Sequence, residues 1–219
     1  MDAQKIDALL RDAVGDADLR PEEIPAIDLY VDQITCLMAE KQKNGSVRFQ
    51  DRALTKTMIN NYSKDGLITP VKGKKYSKEQ ILQMLLVCSL KNTISIGEIK
   101  RILQSVYAAE SFDGGTLAAA YEKFLSVKEY ERAELQNVLD RLMQSCELDP
   151  TDDTDLFTLI LSLSSFSAYL KNLVQALIEA KYPEPSDERE ETKRQKDEKK
   201  EEKKAAKAKK ADAAKEDTP

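Results

Sequence analysis

Lysines and asparagines are the side chains of this chain whose placement could do chemistry. Eleven Lys/Arg (Arg48, Arg52, Lys56, Lys64, Lys72, Lys74, Lys75, Lys78, Lys91, Lys100, Arg101) fall between Asn44 and Ala109, opposed by four acids, Asp51, Asp65, Glu79 and Glu98. The segment therefore carries +7 in a chain of 219 residues whose formal net charge is −5. Residues 1–43 carry −5, residues 110–182 carry −7, and the end from Pro183 is neutral overall. One cationic parcel in an acidic chain is the pattern of a face that neutralises a polyanion.

Other chemistries have few residues to work with. There is no His, which removes imidazole bases, Ser–His and Cys–His nucleophile pairs and His-ligated metals. Cys36, Cys88 and Cys146 lie far apart without a C-x-x-C, fit a reduced cytoplasm, and read as small buried side chains. The acids around Asp149–Asp155 read as a helix start favoured by the macrodipole. They lack the central Gly and terminal Glu of a calcium loop. No Gly-rich phosphate cradle is legible either. The expectation is a protein that is not an enzyme and needs no cofactor or metal.

The elements that must position the lysines follow from punctuation and periodicity. A weak amphipathic helix (Ile6, Leu9, Leu10, Val14) stops near Gly15. Asp28 is expected to open a helix with Tyr30, Val31, Ile34, Leu37 and Met38 at helical spacing, ending near Asn44-Gly45. A polar loop, Ser46 to Ala53, leads to Thr55, an N-cap for a helix to Asp65 that buries Met58, Ile59 and Tyr62. Gly66 closes that helix in the left-handed conformation, with Leu67 packing back. Leu67–Thr69 and Lys74–Tyr76 are expected to be two strands of a hairpin around a Pro70–Gly73 turn. Ser77-Lys-Glu-Gln80 and Ser95-Ile-Gly-Glu98 are capping boxes opening helices through Leu90 and Tyr107.

Beyond Gly114-Gly115 the pattern predicts helices over Thr116–Val127 and Glu129–Cys146, then a long helix after Pro150. In the last, Leu156, Leu159, Leu163, Phe166, Leu170, Leu173 and Leu177 follow an unbroken alternation of three and four residues, a seam suited to pairing with a second copy. Its bland reading is a bundle helix within one subunit. The apolar run Leu156–Leu170 is shorter than the roughly 20 residues a bilayer span needs, and the chain starts without a basic leader, so no membrane contact is expected. From Pro183 the sequence is Glu, Lys and Ala with no large apolar residue, which cannot offset its ordering entropy by burial and reads as a disordered tail.

Leu54-Thr-Lys-Thr-Met-Ile-Asn-Asn-Tyr-Ser-Lys-Asp-Gly-Leu-Ile68, Gly73-Lys-Lys-Tyr-Ser-Lys-Glu-Gln-Ile81 and Ile94-Ser-Ile-Gly-Glu-Ile-Lys-Arg-Ile-Leu103 resemble the winged-helix reading head of the MerR transcriptional regulators. More closely, with Ile24-Pro-Ala-Ile-Asp-Leu-Tyr-Val-Asp-Gln33, the chain is similar over about Ile24 to Tyr182 to an uncharacterised bacterial family, domain of unknown function 1836. The MerR resemblance implies that the helix from Thr55 enters a major groove, with Thr57, Asn60 and Asn61 facing DNA and Tyr62 near phosphate. Lys74 falls at the wing arginine's place, and Ile99 and Leu103 in the core of the supporting helix. The chain departs from that pattern in three ways. About ten residues separate the first two helices of the head, Asn60 replaces the usual arginine, and Lys74 cannot form arginine's bidentate fork.

The expected architecture is mainly α: an N-terminal extension (1–23), a MerR-like winged helix-turn-helix domain (24–109), a helical bundle or dimerisation region (113–182) and a disordered charged tail (183–219). The expected function is regulation of transcription by binding double-stranded DNA as a cytoplasmic homodimer. Lys56, Thr57, Asn60, Asn61, Tyr62, Lys64, Lys72, Lys74 and Lys75 would meet the duplex, and the leucine seam would join the two copies. The rival is a protein-interaction module on the same scaffold, with Asn60 and Asn61 merely solvated and the lysines keeping an exposed edge soluble.

Overall fold

The computed structural model describes residues 2–46, 54–71 and 73–184. Arg48, Arg52, Lys72, most of the expected polar loop and the tail from 185 lie outside the described residues. The chain divides into a unit reaching Ile178 and a second from Glu179. The described part is mainly helical: α1 (Ala3–Ala13), α2 (Val31–Gln42), α3 (Lys56–Lys64), α4 (Lys78–Leu90), α5 (Ile96–Tyr107), α6 (Gly114–Ser145) and α7 (Asp153–Lys181), with a 3-10 turn at Pro21–Glu23.

Local chemistry sets most boundaries. Thr55 Oγ1 accepts from Met58 N at 3.2 Å and starts α3. Gly66 sits at φ +68, and Leu67 N donates to Tyr62 O at 2.9 Å, so the left-handed closure that glycine permits ends the helix. Both serine boxes form: Ser77 N donates to Gln80 Oε1 at 2.9 Å and Ser95 N to Glu98 Oε2 at 2.7 Å.

The two-stranded sheet differs from the expected hairpin. Leu29–Tyr30 (β1) pairs antiparallel with Lys75–Tyr76 (β2), Leu29 opposite Tyr76 and Tyr30 opposite Lys75. Leu29 and Tyr30 are thereby diverted from the helix expected to open at Asp28, and α2 starts at Val31. Leu67–Thr69 is not a strand, because two buried glutamines of α4 take its polar groups. Gln83 Oε1 accepts from Thr69 N at 2.8 Å. Gln80 Nε2 donates to Thr69 O at 3.1 Å and Pro70 O at 3.0 Å. Gln80→Leu would strand these carbonyls and the Ser77 amide, and should cost roughly 2–3 kcal/mol, read as a lower midpoint in urea.

The interior of the 24–107 region is built from Ile34 and Met38 of α2, Ile59 and Tyr62 of α3, Leu67 and Ile68, the apolar face of α4, and Ile99 and Leu103 of α5, all buried. Cys36 and Cys146 are exposed and Cys88 is half-buried. The expected burial fails for Cys36 because Ile34 and Met38 define the inner face of α2.

Residues 114–145 form one helix where two were expected. No Gly or Pro interrupts the chain between Val127 and Glu129, so the ladder continues. Ile6 of α1, Leu139 of α6 and Leu159 of α7 make a second small core with Leu142, Met143 and Leu148. Leu159, 5% exposed, is thus used inside the subunit instead of in an intermolecular seam. Most of α7 has no such cover: Phe157, Ile160, Leu161, Leu163, Phe166, Tyr169, Leu170, Leu173 and Leu177 are exposed. At 29 residues it is long and apolar enough to cross a membrane by length and composition alone, which the shorter apolar run in the sequence did not suggest.

Candidate nucleic-acid interface

Helix α3 has two faces of opposite character. Ile59 and Tyr62 point inward, while Lys56, Thr57, Asn60, Asn61 and Lys64 are exposed. Thr57, Asn60, Asn61 and Lys64 stand at i, i+3, i+4 and i+7, one continuous strip along the helix. The inward face is what aims the strip: packing Ile59 and Tyr62 fixes the rotation of the helix and leaves two carboxamides, a hydroxyl and an ammonium in solvent.

The remaining cations are distributed unequally. Lys74, in the turn before β2, and Lys75, in β2, are exposed. Lys75 Nζ lies 5.0 Å from the centre of the Tyr30 ring on the paired strand, a cation–π contact that orients the side chain with a small favourable energy. Gly73, at φ +81, supplies the left-handed turn that feeds this strand. Lys56 is engaged with Asp32 of α2. Both partners are largely exposed, so a phosphate could displace the pair.

Tyr62 does not join the interface. It is 5% exposed, and burial, with the neighbouring Cys88 of α4, pushes its hydroxyl up from the ordinary phenol range. Burial likewise pushes the Cys88 thiol up, against the opposing influence of Lys91 and Tyr62. The expected phosphate contact is corrected to a core contact: at i+3 from Ile59, Tyr62 falls on the packed face. Lys72 lies outside the described residues.

A feature the sequence reading missed ties the N-terminal segment to α6. Lys128 Nζ pairs with Asp16 and, at 2.7 Å, with Asp18 Oδ1. Arg132 Nη2 reaches Asp16 Oδ1 at 2.6 Å and Asp18 Oδ2 at 2.5 Å, and Arg20 pairs with Glu129. Burial alone raises the Asp16 carboxyl, but the hydrogen bonds and charges of Lys128 and Arg132 outweigh it and hold the group below the ordinary carboxylate range. The signal was present as Asp-x-Asp in one place and a Lys and an Arg four apart on one helix in another. Nothing local linked them.

Residues 19–124 match a protein family described as Domain of unknown function (DUF1836). That span covers α2 to α5 and the first part of α6 and stops short of α7, whereas the resemblance read from the sequence reaches Tyr182. No curated protein and no solved structure matches the chain.

Proposed function

We propose that residues 24–109 form a DNA-reading head of the winged helix-turn-helix type, resembling that of MerR regulators, and that the chain regulates transcription as a homodimer. The observation that carries this reading is the exposed strip Thr57–Asn60–Asn61–Lys64, together with the exposed Lys74 and Lys75, in the stretch from Asn44 to Ala109 that carries +7. Asparagine can hold adenine through its N6 and N7 edge, and lysine neutralises phosphate without reading sequence. Helix α3 would lie in the major groove, with the turn and strand around Lys74 and Lys75 on the flanking backbone. The order α2, α3, β2, α4, α5 supports the reading, as does the pairing of β2 with the strand that precedes α2.

The exposed apolar side chains of α7 support pairing with a second copy. Nine large apolar side chains stand exposed along α7, more than the scattered single residues of an ordinary monomer surface. A reader with one small head gains from pairing, because two half-sites multiply its contacts. Of the expected seam, Leu163, Phe166, Leu170, Leu173 and Leu177 remain free for a partner, Leu156 is half-buried, and Leu159 serves the inner core.

Salt dependence of duplex binding tests the head. Affinity should fall steeply between 50 and 200 mM salt, and the double variant Lys74→Ala/Lys75→Ala should lower the log–log slope by about 2. Lys56→Ala should change the slope less, since Asp32 already holds that charge. A chain that ignores every duplex at low salt would leave the protein-interaction module in place. Co-flotation with vesicles would instead assign α7 to a lipid surface.

A further inference from the structure

The outward chemistry of α3 is narrow. Its 9 residues, Lys56–Lys64, include no Arg, Gln, Asp or Glu. The arginine fork that takes guanine and the carboxylate that accepts from cytosine are therefore missing from the helix. What it exposes on one strip is Thr57, Asn60, Asn61 and Lys64. Asn60 and Asn61 diverge by about 100° around the axis, and Thr57 falls between them one turn earlier. From Thr57 to Asn61 the helix rises about 6 Å, close to two steps of a duplex at about 3.4 Å each. The two carboxamides are thus set to meet different, neighbouring base pairs.

Lysine can also meet guanine, so the places of the two lysines matter. Lys56 is engaged with Asp32 of α2. Lys64 ends the helix, whereas base edges are met by the N-terminal residues of a reading helix. Beside that end, Lys100 Cε stands 4.0 Å from where a side-chain carbon on Gly66 would lie, and Lys100 is exposed. Lys64 and Lys100 thus form a cationic rim suited to a phosphate strand. An asparagine amide accepts from adenine N6 and donates to N7, and a threonine methyl packs on that of thymine. We propose that α3 selects a short run of A·T pairs, Asn60 holding one adenine and Asn61 another in a neighbouring pair. This specificity rests on the reading of α3 as the groove helix and says which sequence it would take.

The full chain, at low salt, is used to select from a pool of random duplexes of about 30 base pairs, and the enriched duplexes are then titrated. They should share adjacent A·T pairs. Asn60→Ala and Asn61→Ala should each lose the preference at one of two neighbouring pairs, by about 5- to 150-fold. Both side chains are exposed, so affinity for the unselected pool and the melting temperature should hold. Putting 7-deazaadenine at those pairs removes the N7 acceptor and keeps the Watson–Crick edge. It should weaken binding by the unaltered protein at least fivefold, and by the matching variant not at all. Lys64→Ala should lower the salt slope by about 1 and keep the base preference. Enrichment of G·C pairs, no enrichment from a pool that binds, a preference kept in both asparagine variants, or indifference to 7-deazaadenine would overturn the base assignment and leave the DNA-reading head standing. A pool left unbound at low salt would overturn both.

Discussion

Replacing Leu170 and Leu173 together by aspartate should leave the chain monomeric at micromolar concentration, where the proposed seam should hold the unaltered protein as a dimer. Each side chain is about half exposed in the single copy, 49% and 56%, so the subunit loses little internal packing. A dimer loses four such leucines and gains four charges in an apolar seam. At half the worth of a fully buried leucine apiece, the lost burial alone is about 5 kcal/mol, roughly a thousandfold or more in Kd. Sedimentation velocity reads the change directly, while the melting temperature of the dilute protein should hardly move. Leu159→Asp offers the contrast: at 5% exposure against Ile6 and Leu139, it should unfold the small core instead of merely separating copies. A Leu170→Asp/Leu173→Asp chain that sediments as the parent does would remove the seam from consideration.

The second large effect belongs to the ion network. Arg132→Met leaves Asp16 and Asp18 with Lys128 alone, in a setting where the four side chains are between 17% and 26% exposed. The destabilisation should be about 2 kcal/mol, below the 3–5 of a fully buried pair and above the near-zero of surface pairs. For a chain of this size that is a fall in melting temperature of roughly 4–8 °C. The acid limb carries the same signature. A carboxyl held low in the folded state, as Asp16 is, stabilises the protein above its unfolded value of about 3.9 and gives that stability back as pH falls through the depressed folded value. Arg132→Met should therefore cost most at neutral pH and progressively less below about pH 4. A constant deficit from pH 7 to 3 would point to lost packing of the arginine stem instead.

The parts of this fold governed by local rules were legible in the sequence. Thr55, Gly66, Ser77 and Ser95 act on neighbours within four residues, and the structure uses each as a helix start or stop. The inward face of α3 was also readable, since Ile59 and Tyr62 share helical spacing. Tyr62 shows the limit of carrying a role across a resemblance. Its place in the motif suggested phosphate, while its place on the helix put it beside Cys88.

Pairings between distant segments were not legible. Leu67–Thr69 has the composition of a strand, but its backbone is met by Gln80 and Gln83, polar residues that an almost wholly apolar helix had no evident reason to carry. Their presence was itself the available hint: a glutamine in a buried run needs partners, and a neighbouring Pro70 cannot donate to a sheet. The division of the 114–145 region into two helices failed for lack of any breaker. The α7 seam was correctly periodic, yet periodicity cannot separate a leucine that meets its own subunit from one that meets another.

The pairing of Leu29–Tyr30 with Lys75–Tyr76 has a consequence for how the cationic edge comes into being. The strand that carries Lys75 is completed by residues some forty-five positions upstream, so it must await closure of a long loop, whereas α3 and its caps can form locally. A peptide beginning at Leu54 would retain every charge of that helix and still lack the scaffold for its neighbouring lysines. Any minimal fragment meant to grip a duplex should therefore begin ahead of Leu29, and a nascent chain gains that edge only after Tyr76 has emerged.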